Sequence, residues 1–220
     1  MLTKYQEALE SLYGRSYDFA KNIEDSFTIV VDVLESKDLD KLNEAKAMLK
    51  GSIKEESKID MKIIETIALY SPEAKDLRRV VTLMKIVGEF SRISDYIKAQ
   101  ISTLTQEIIE GEELVGDGTR VSFYTSTLAA LKASVELVKT KDESILNELI
   151  REISIEESKC DDFVSIIEKE IISEICDNKN EIAYFTKRLN SVRKMERISD
   201  RCINIAKLRK YAIEGGKLKL

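Results

Sequence analysis

Glu55-Glu56-Ser57-Lys58-Ile59-Asp60 recurs 101 residues later as Glu156-Glu157-Ser158-Lys159-Cys160-Asp161. Arg92-Ile93-Ser94-Asp95 recurs 105 residues later as Arg197-Ile198-Ser199-Asp200. One such match could be chance; two in the same order and at nearly one offset point to an internal duplication. Breakers around these segments divide each copy into three helical stretches. The first runs from about residue 4 to 36, and Asp38 can cap the next helix. The second runs from about 39 to 68. Ser71-Pro72-Glu73 stops it and starts a third, with Pro72 suited to the first helical position, that continues to about 110.

Residues 110–118 hold three of the eight glycines and mark the boundary between halves. The second half repeats the plan, with helices over about 119–140, 143–176 and 181–214. Asp177-Asn178-Lys179-Asn180 forms a polar turn, and Gly215-Gly216 closes the last helix. The four extra residues of the second offset fit a longer turn between the last two helices. The expectation is an all-α fold of two tandem, pseudo-symmetric three-helix bundles, residues 1–112 and 116–220, with antiparallel neighbours joined by short loops.

Composition agrees with long helices. Charged residues make up 34% of the 220 and hydrophobic ones 43%, and proline occurs once. The net charge of -5 is interspersed, and no basic block offers a nucleic-acid footprint. No run of 18 apolar residues exists, and the N-terminus is too polar for a secretory core, so a cytoplasmic protein that meets membranes only through partners is expected. Cys160, Cys176 and Cys202 form no CxxC pair and read as reduced, buried small hydrophobes. There is no histidine at all. That removes the usual general base, the usual transition-metal ligand and every His-dependent triad, and turns the reading away from an enzyme.

Within the repeats, carboxylates stand four apart: Glu56/Asp60, Glu157/Asp161 and Glu196/Asp200. Residues so spaced share one helix face, where like charges repel. Forty acids in 220 residues give about seven such pairs by chance, so a lone pair carries little weight and the register between repeats carries more. Adjacent helices offering such pairs would converge three or four carboxylates, an oxygen-only shell suited to iron, manganese, magnesium or calcium. Ile53, Glu56, Asp60, Ile63 and Ile67 advance in steps of three and four, so the first pair lies along an apolar stripe and needs a partner. That partner is a cation, or else Arg92, Arg197 or a lysine with no metal; spacing leaves both open. Arg78 and Arg79 read as surface ion pairs or as holders of an anion. Tyr5, Tyr13, Tyr17 and Phe19 read as core or contact residues.

Further residues carry a resemblance. Ser71-Pro72-Glu73-Ala74-Lys75-Asp76 followed by Leu77-Arg78-Arg79-Val80-Val81, and Glu196-Arg197-Ile198-Ser199-Asp200 followed by Ile203-Asn204-Ile205-Ala206, are similar to the PhoU family's proline-led Asp-Leu-Arg turn and its Glu-Arg-Ile-Gly-Asp signature. The resemblance covers nearly the whole chain. It implies a homodimeric regulator that represses the phosphate-starvation response when phosphate is plentiful, linking the ATPase subunit of a Pst phosphate transporter to a phosphate-sensing histidine kinase. It also implies metal (iron, manganese, zinc or magnesium) held by Glu157, Asp161, Glu196 and Asp200 in the second repeat and by Glu56, Asp60 and Asp95 in the first. Ser91 stands where the signature carries Glu, and Ala99 where the second repeat has Asn204, so weaker first-repeat binding is expected. Alternatives are an accessory or metal-handling protein of another phosphate or ion permease and, last, a metal-dependent enzyme.

Overall fold

Helix ends follow the local chemistry closely in a computed structural model of the chain, which describes residues 2–111, 117–177 and 182–215. Seven helices occur among these residues, with no strand: α1 (Leu2–Ser36), α2 (Leu39–Met48), α3 (Ser52–Tyr70), α4 (Ala74–Glu110), α5 (Asp117–Lys139), α6 (Glu143–Asp177) and α7 (Ile182–Glu214). Asp38 caps α2 by accepting from the amides of Asp40 and Lys41 at 2.9 and 3.3 Å. Asp142 does the same for α6 through Ser144 and Ile145, at 2.8 and 3.1 Å. Gly111 ends α4 in the left-handed conformation. The expected boundary falls mainly on residues 112–116, the polar turn on 178–180 and the second stop glycine on Gly216, all outside the described residues.

Two expectations change. The sequence predicts a single helix over about 39–68; instead the chain breaks after Met48 and restarts at Ser52. Gly51 sits at φ 93, a left-handed conformation that ends the helical hydrogen bonding, and Ser52 Oγ donates to the Leu49 carbonyl at 2.6 Å. The first bundle therefore uses α2 and α3 where the second uses α6. Pro72 lies two residues before α4 rather than at its first position, in a turn that begins with Ser71 at φ 46.

α1 and α4 pack on each other and on both α2 and α3, and α5, α6 and α7 pack on one another. The halves meet where α1 lies on α5 and α4 on α7. A single apolar core runs through both, with Phe27, Phe90 and Phe123 fully buried. Phe27 stacks on Tyr124 across the α1–α5 seam, ring centres 6.1 Å apart. A buried polar network inside the α4–α7 seam is centred on Gln100. Gln100 donates to the Ser191 carbonyl at 2.7 Å and accepts from Ser191 Oγ and Tyr124 Oη at 2.8 and 2.9 Å. Arg209, 6% exposed, donates to the Leu137 and Thr140 carbonyls at 2.9 and 2.6 Å, closing the C-terminus of α5. No helix among the described residues is long and apolar enough to cross a membrane.

Candidate metal centre

The second-repeat carboxylates gather on the outer edge of the α6–α7 contact. Burial of Ile153, Cys160, Ile198 and Cys202 fixes which face of each helix turns inward. Cys160 on α6 faces Ser199 on α7 and lies 3.4 Å from Thr127 Oγ1 on α5, which fixes the register. Glu157 and Asp161 then flank Cys160 along α6, and Glu196 and Asp200 flank Ser199 along α7. Glu157 and Glu196 are half-buried, while Asp161 and Asp200 reach solvent.

These groups face one another electrostatically. Glu157, Glu196 and Asp200 are held above the usual carboxylate range, first because packing strips water from them, then because like charges oppose them. Asp161 and Asp200 act on Glu157, Asp200 and Asp161 on Glu196, and Asp161 on Asp200. Arg197, Arg201 and Lys207 pull the other way from a distance. Arg193 pairs with Glu168 at 3.2 Å and Arg201 with Glu89 at 3.2 Å, while Arg197 acts on Glu196 and Asp200 through its charge alone. Among the described residues the four carboxylates make no ion pair, so the metal-free salt-bridge alternative lacks its contacts here. Their chemistry suits a hard cation. As placed, however, no three Asp, Glu or Cys side chains among the described residues gather closely enough to hold one.

The first repeat is built differently. The repeat offsets make Ile59 the counterpart of Cys160 and Ser94 the counterpart of Ser199. Yet Ser94 Oγ donates to Ser52 Oγ at 2.9 Å, seven residues before Ile59. Glu56 reaches over Gly88, where an added Cβ would lie 3.7 Å from Oε1. At 1.5 Å per residue, α3 is displaced along α4 by about 10 Å relative to α6 on α7. Helix length is the cause. α3 ends at Tyr70, ten residues after Asp60, whereas α6 continues to Asp177, sixteen after Asp161. Helix α6 is thus longer past its signature than α3, and the turn that follows it lies outside the described residues.

The displacement separates the residues expected to act together. Asp95 pairs with Lys98 at 3.1 Å on the exposed face of α4. Glu56 and Asp60 remain neighbours, and Asp60 is held above the usual range by lost hydration and then by Glu56. Its Oδ1 is buried without a hydrogen-bond partner. Ser91 is buried. Arg92, the expected alternative partner, pairs with Glu89 at 2.7 Å.

Other expectations resolve simply. Cys160 and Cys202 are free and buried, and burial pushes their thiols up to about 11 and about 12. The Cys176 side chain lies outside the described residues. Tyr13 Oη receives a bond from Arg209 at 3.3 Å, Tyr17 Oη donates to Glu136 at 3.0 Å, Tyr5 packs on Tyr70 and Phe19 is in the core. Arg79 pairs with Asp76 at 3.5 Å, and Arg78 lies over the Tyr211 ring. Sequence reasoning missed Glu89, which joins Arg92 of its own helix to Arg201 of α7. It also missed Gln100, whose only signal is a polar residue inside the apolar stripe of Ile97, Ile101 and Leu104.

The PhoU domain model matches residues 17–101 and again 123–208. This chain belongs to the PhoU family. Over 96% of its length it is 26% identical to the phosphate-specific transport system accessory protein PhoU of Edwardsiella tarda, spanning 85% of that protein. It is 20% identical to the corresponding PhoU homolog of Deinococcus radiodurans, covering 96% of this chain and 99% of that one. Among solved structures, PhoU from Pseudomonas aeruginosa superposes with a TM-score of 0.85 at 19% identity, over 96% of this chain and all of that one. The phosphate transport system regulatory protein PhoU from Streptococcus pneumoniae gives 0.81 at 17%, over 98% of this chain and all of that one. The PhoU family's two helical repeats are thus both present.

Proposed function

We propose that this chain is an accessory, regulatory protein of a phosphate transport system. The observation that carries the reading is a match running through both repeats to relatives bearing that description. Its working form is a cytoplasmic homodimer that holds the phosphate-starvation response down when phosphate is plentiful, by joining the transporter's ATPase subunit to a sensor histidine kinase. It acts by binding rather than by catalysis, which suits a chain with no histidine.

Metal belongs to the same proposal. Glu157, Asp161, Glu196 and Asp200 are the residues that would hold a divalent or iron-type cation. A cation there supplies positive charge against four carboxylates that otherwise oppose one another. The separated Glu56, Asp60 and Asp95 support at most a weaker site.

The test is reciprocal co-purification of the full chain with the transporter ATPase subunit and the phosphate-sensing kinase of its host. Retention of both, lost in a variant unfolded by design, supports the adaptor. Retention of neither, together with manganese-dependent phosphatase turnover that disappears in Asp200→Asn, favours the enzyme instead.

A further inference from the structure

Between α4 and α7 a groove of about 280 Å3 is lined chiefly by Leu77, Arg78, Val81, Lys85, Leu208 and Tyr211. Among the described residues no acid lines it, although the chain as a whole carries a net charge of -5. Leu77 and Val81 are each 38% exposed.

Arg78 is fixed in place. Its guanidinium lies 5.8 Å from the centre of the Tyr211 ring, and Nε points at the Ala212 carbonyl at 3.5 Å. The backbone of Gly215, at φ 78, passes so close that an added Cβ would stand 2.7 Å from Nη1. Lys85 stands two helical turns further along. The acids nearest in sequence are committed elsewhere: Asp76 to Arg79 at 3.5 Å, and Glu89 to Arg92 and Arg201 at 2.7 and 3.2 Å. Neither Arg78 nor Lys85 has a carboxylate partner among the described residues.

We propose that this groove docks an amphipathic helix of a partner protein. Its apolar side chains would rest on Leu77, Val81 and Leu208, and two carboxylates seven residues apart would meet Arg78 and Lys85. Charge and spacing select this occupant. The two cations are seven residues, or about 10 Å, apart along α4. Arg78 is held at the Tyr211 end of the groove, and a helix returns side chains to the same face at the interval that separates it from Lys85. An apolar floor between the cations is the form of a helix-in-groove site, and the cations reject a basic helix.

The test is fluorescence anisotropy of the full chain with a labelled 18-residue helical peptide carrying Glu at two positions seven apart and Leu three and four residues after the first. Saturable binding is expected, weakened at least tenfold by Lys85→Glu and abolished by Val81→Asp. Replacing the peptide's Lys85-facing Glu with Lys should recover binding to Lys85→Glu, a result that loss of folding cannot give. The proposal is overturned by absence of saturable binding, by equal binding of a scrambled peptide, or by no recovery in the charge swap. It is equally overturned if the same residues instead govern binding to anionic lipid vesicles or self-association in sedimentation. None of these outcomes bears on the phosphate role, which a deletion phenotype reads separately.

Discussion

Asp200→Asn should stabilise the chain when metal is chelated, contrary to the usual effect of removing a charge that bridges two helices. Asp200 is opposed by Asp161 and itself raises Glu157 and Glu196. Each like-charge neighbour on a helix surface costs ~0.2–0.5 kcal/mol. Solvent screening at this partly exposed edge, and attraction from Arg197, Arg201 and Lys207, hold the net gain to roughly 0.5 kcal/mol. For a chain of this size that is a rise in Tm of about 1–2 °C. The pH dependence has a definite sign. A carboxyl whose folded pKa is raised takes up a proton on folding, so its contribution to stability is present at low pH and is lost as pH rises through the raised pKa. The difference between variant and parent should therefore shrink as pH falls from 7 toward the ordinary carboxylate range. Calorimetry in EDTA at several pH values reads this directly. Excess manganese should reverse the order, stabilising the parent more than the variant. A variant that melts lower than its parent in EDTA at pH 7 would mean that Asp200 is held by an ion pair, and the repulsion argument would fail.

Three other outcomes are expected from the same structure. Metal content by mass spectrometry should collapse in Asp200→Asn and change little in Asp95→Asn; equal losses would contradict the difference between repeats. Gln100→Leu strands Tyr124 Oη and the buried Ser191 inside the seam, and urea denaturation should show a loss of about 2–4 kcal/mol. Gly51→Ala meets no neighbouring atom but must hold φ near 93, costing about 1 kcal/mol, which the same titration measures.

What the sequence disclosed was local or repeated. Asp38, Asp142 and Gly111 mark helix ends because capping is decided within a few residues, and the duplicated segments reveal the two-part plan because chance rarely matches five residues of six and then four of four in the same order. Gly51 escaped notice because a lone glycine costs a helix only about 1 kcal/mol. That Glu157/Asp161 and Glu196/Asp200 lie on facing helices could be read from spacing, since each pair is fixed by its own helix, whereas their assignment as one metal-holding set came from the resemblance alone. The separation of Asp95 from Glu56 and Asp60 could not be read that way. It depends on how far α3 slides along α4, which is set by the length of helix between Asp60 and the turn. That length was visible in the numbering, but its consequence appears only when Ser52 meets Ser94.

The most direct measurement is phosphate-responsive promoter activity, with phosphate uptake alongside, in phosphate-rich medium after deleting the gene from its host. The account predicts that both stay high despite plentiful phosphate and return to low values when the chain is restored. Unchanged activity and uptake in the deletion strain would contradict a regulatory role in phosphate transport.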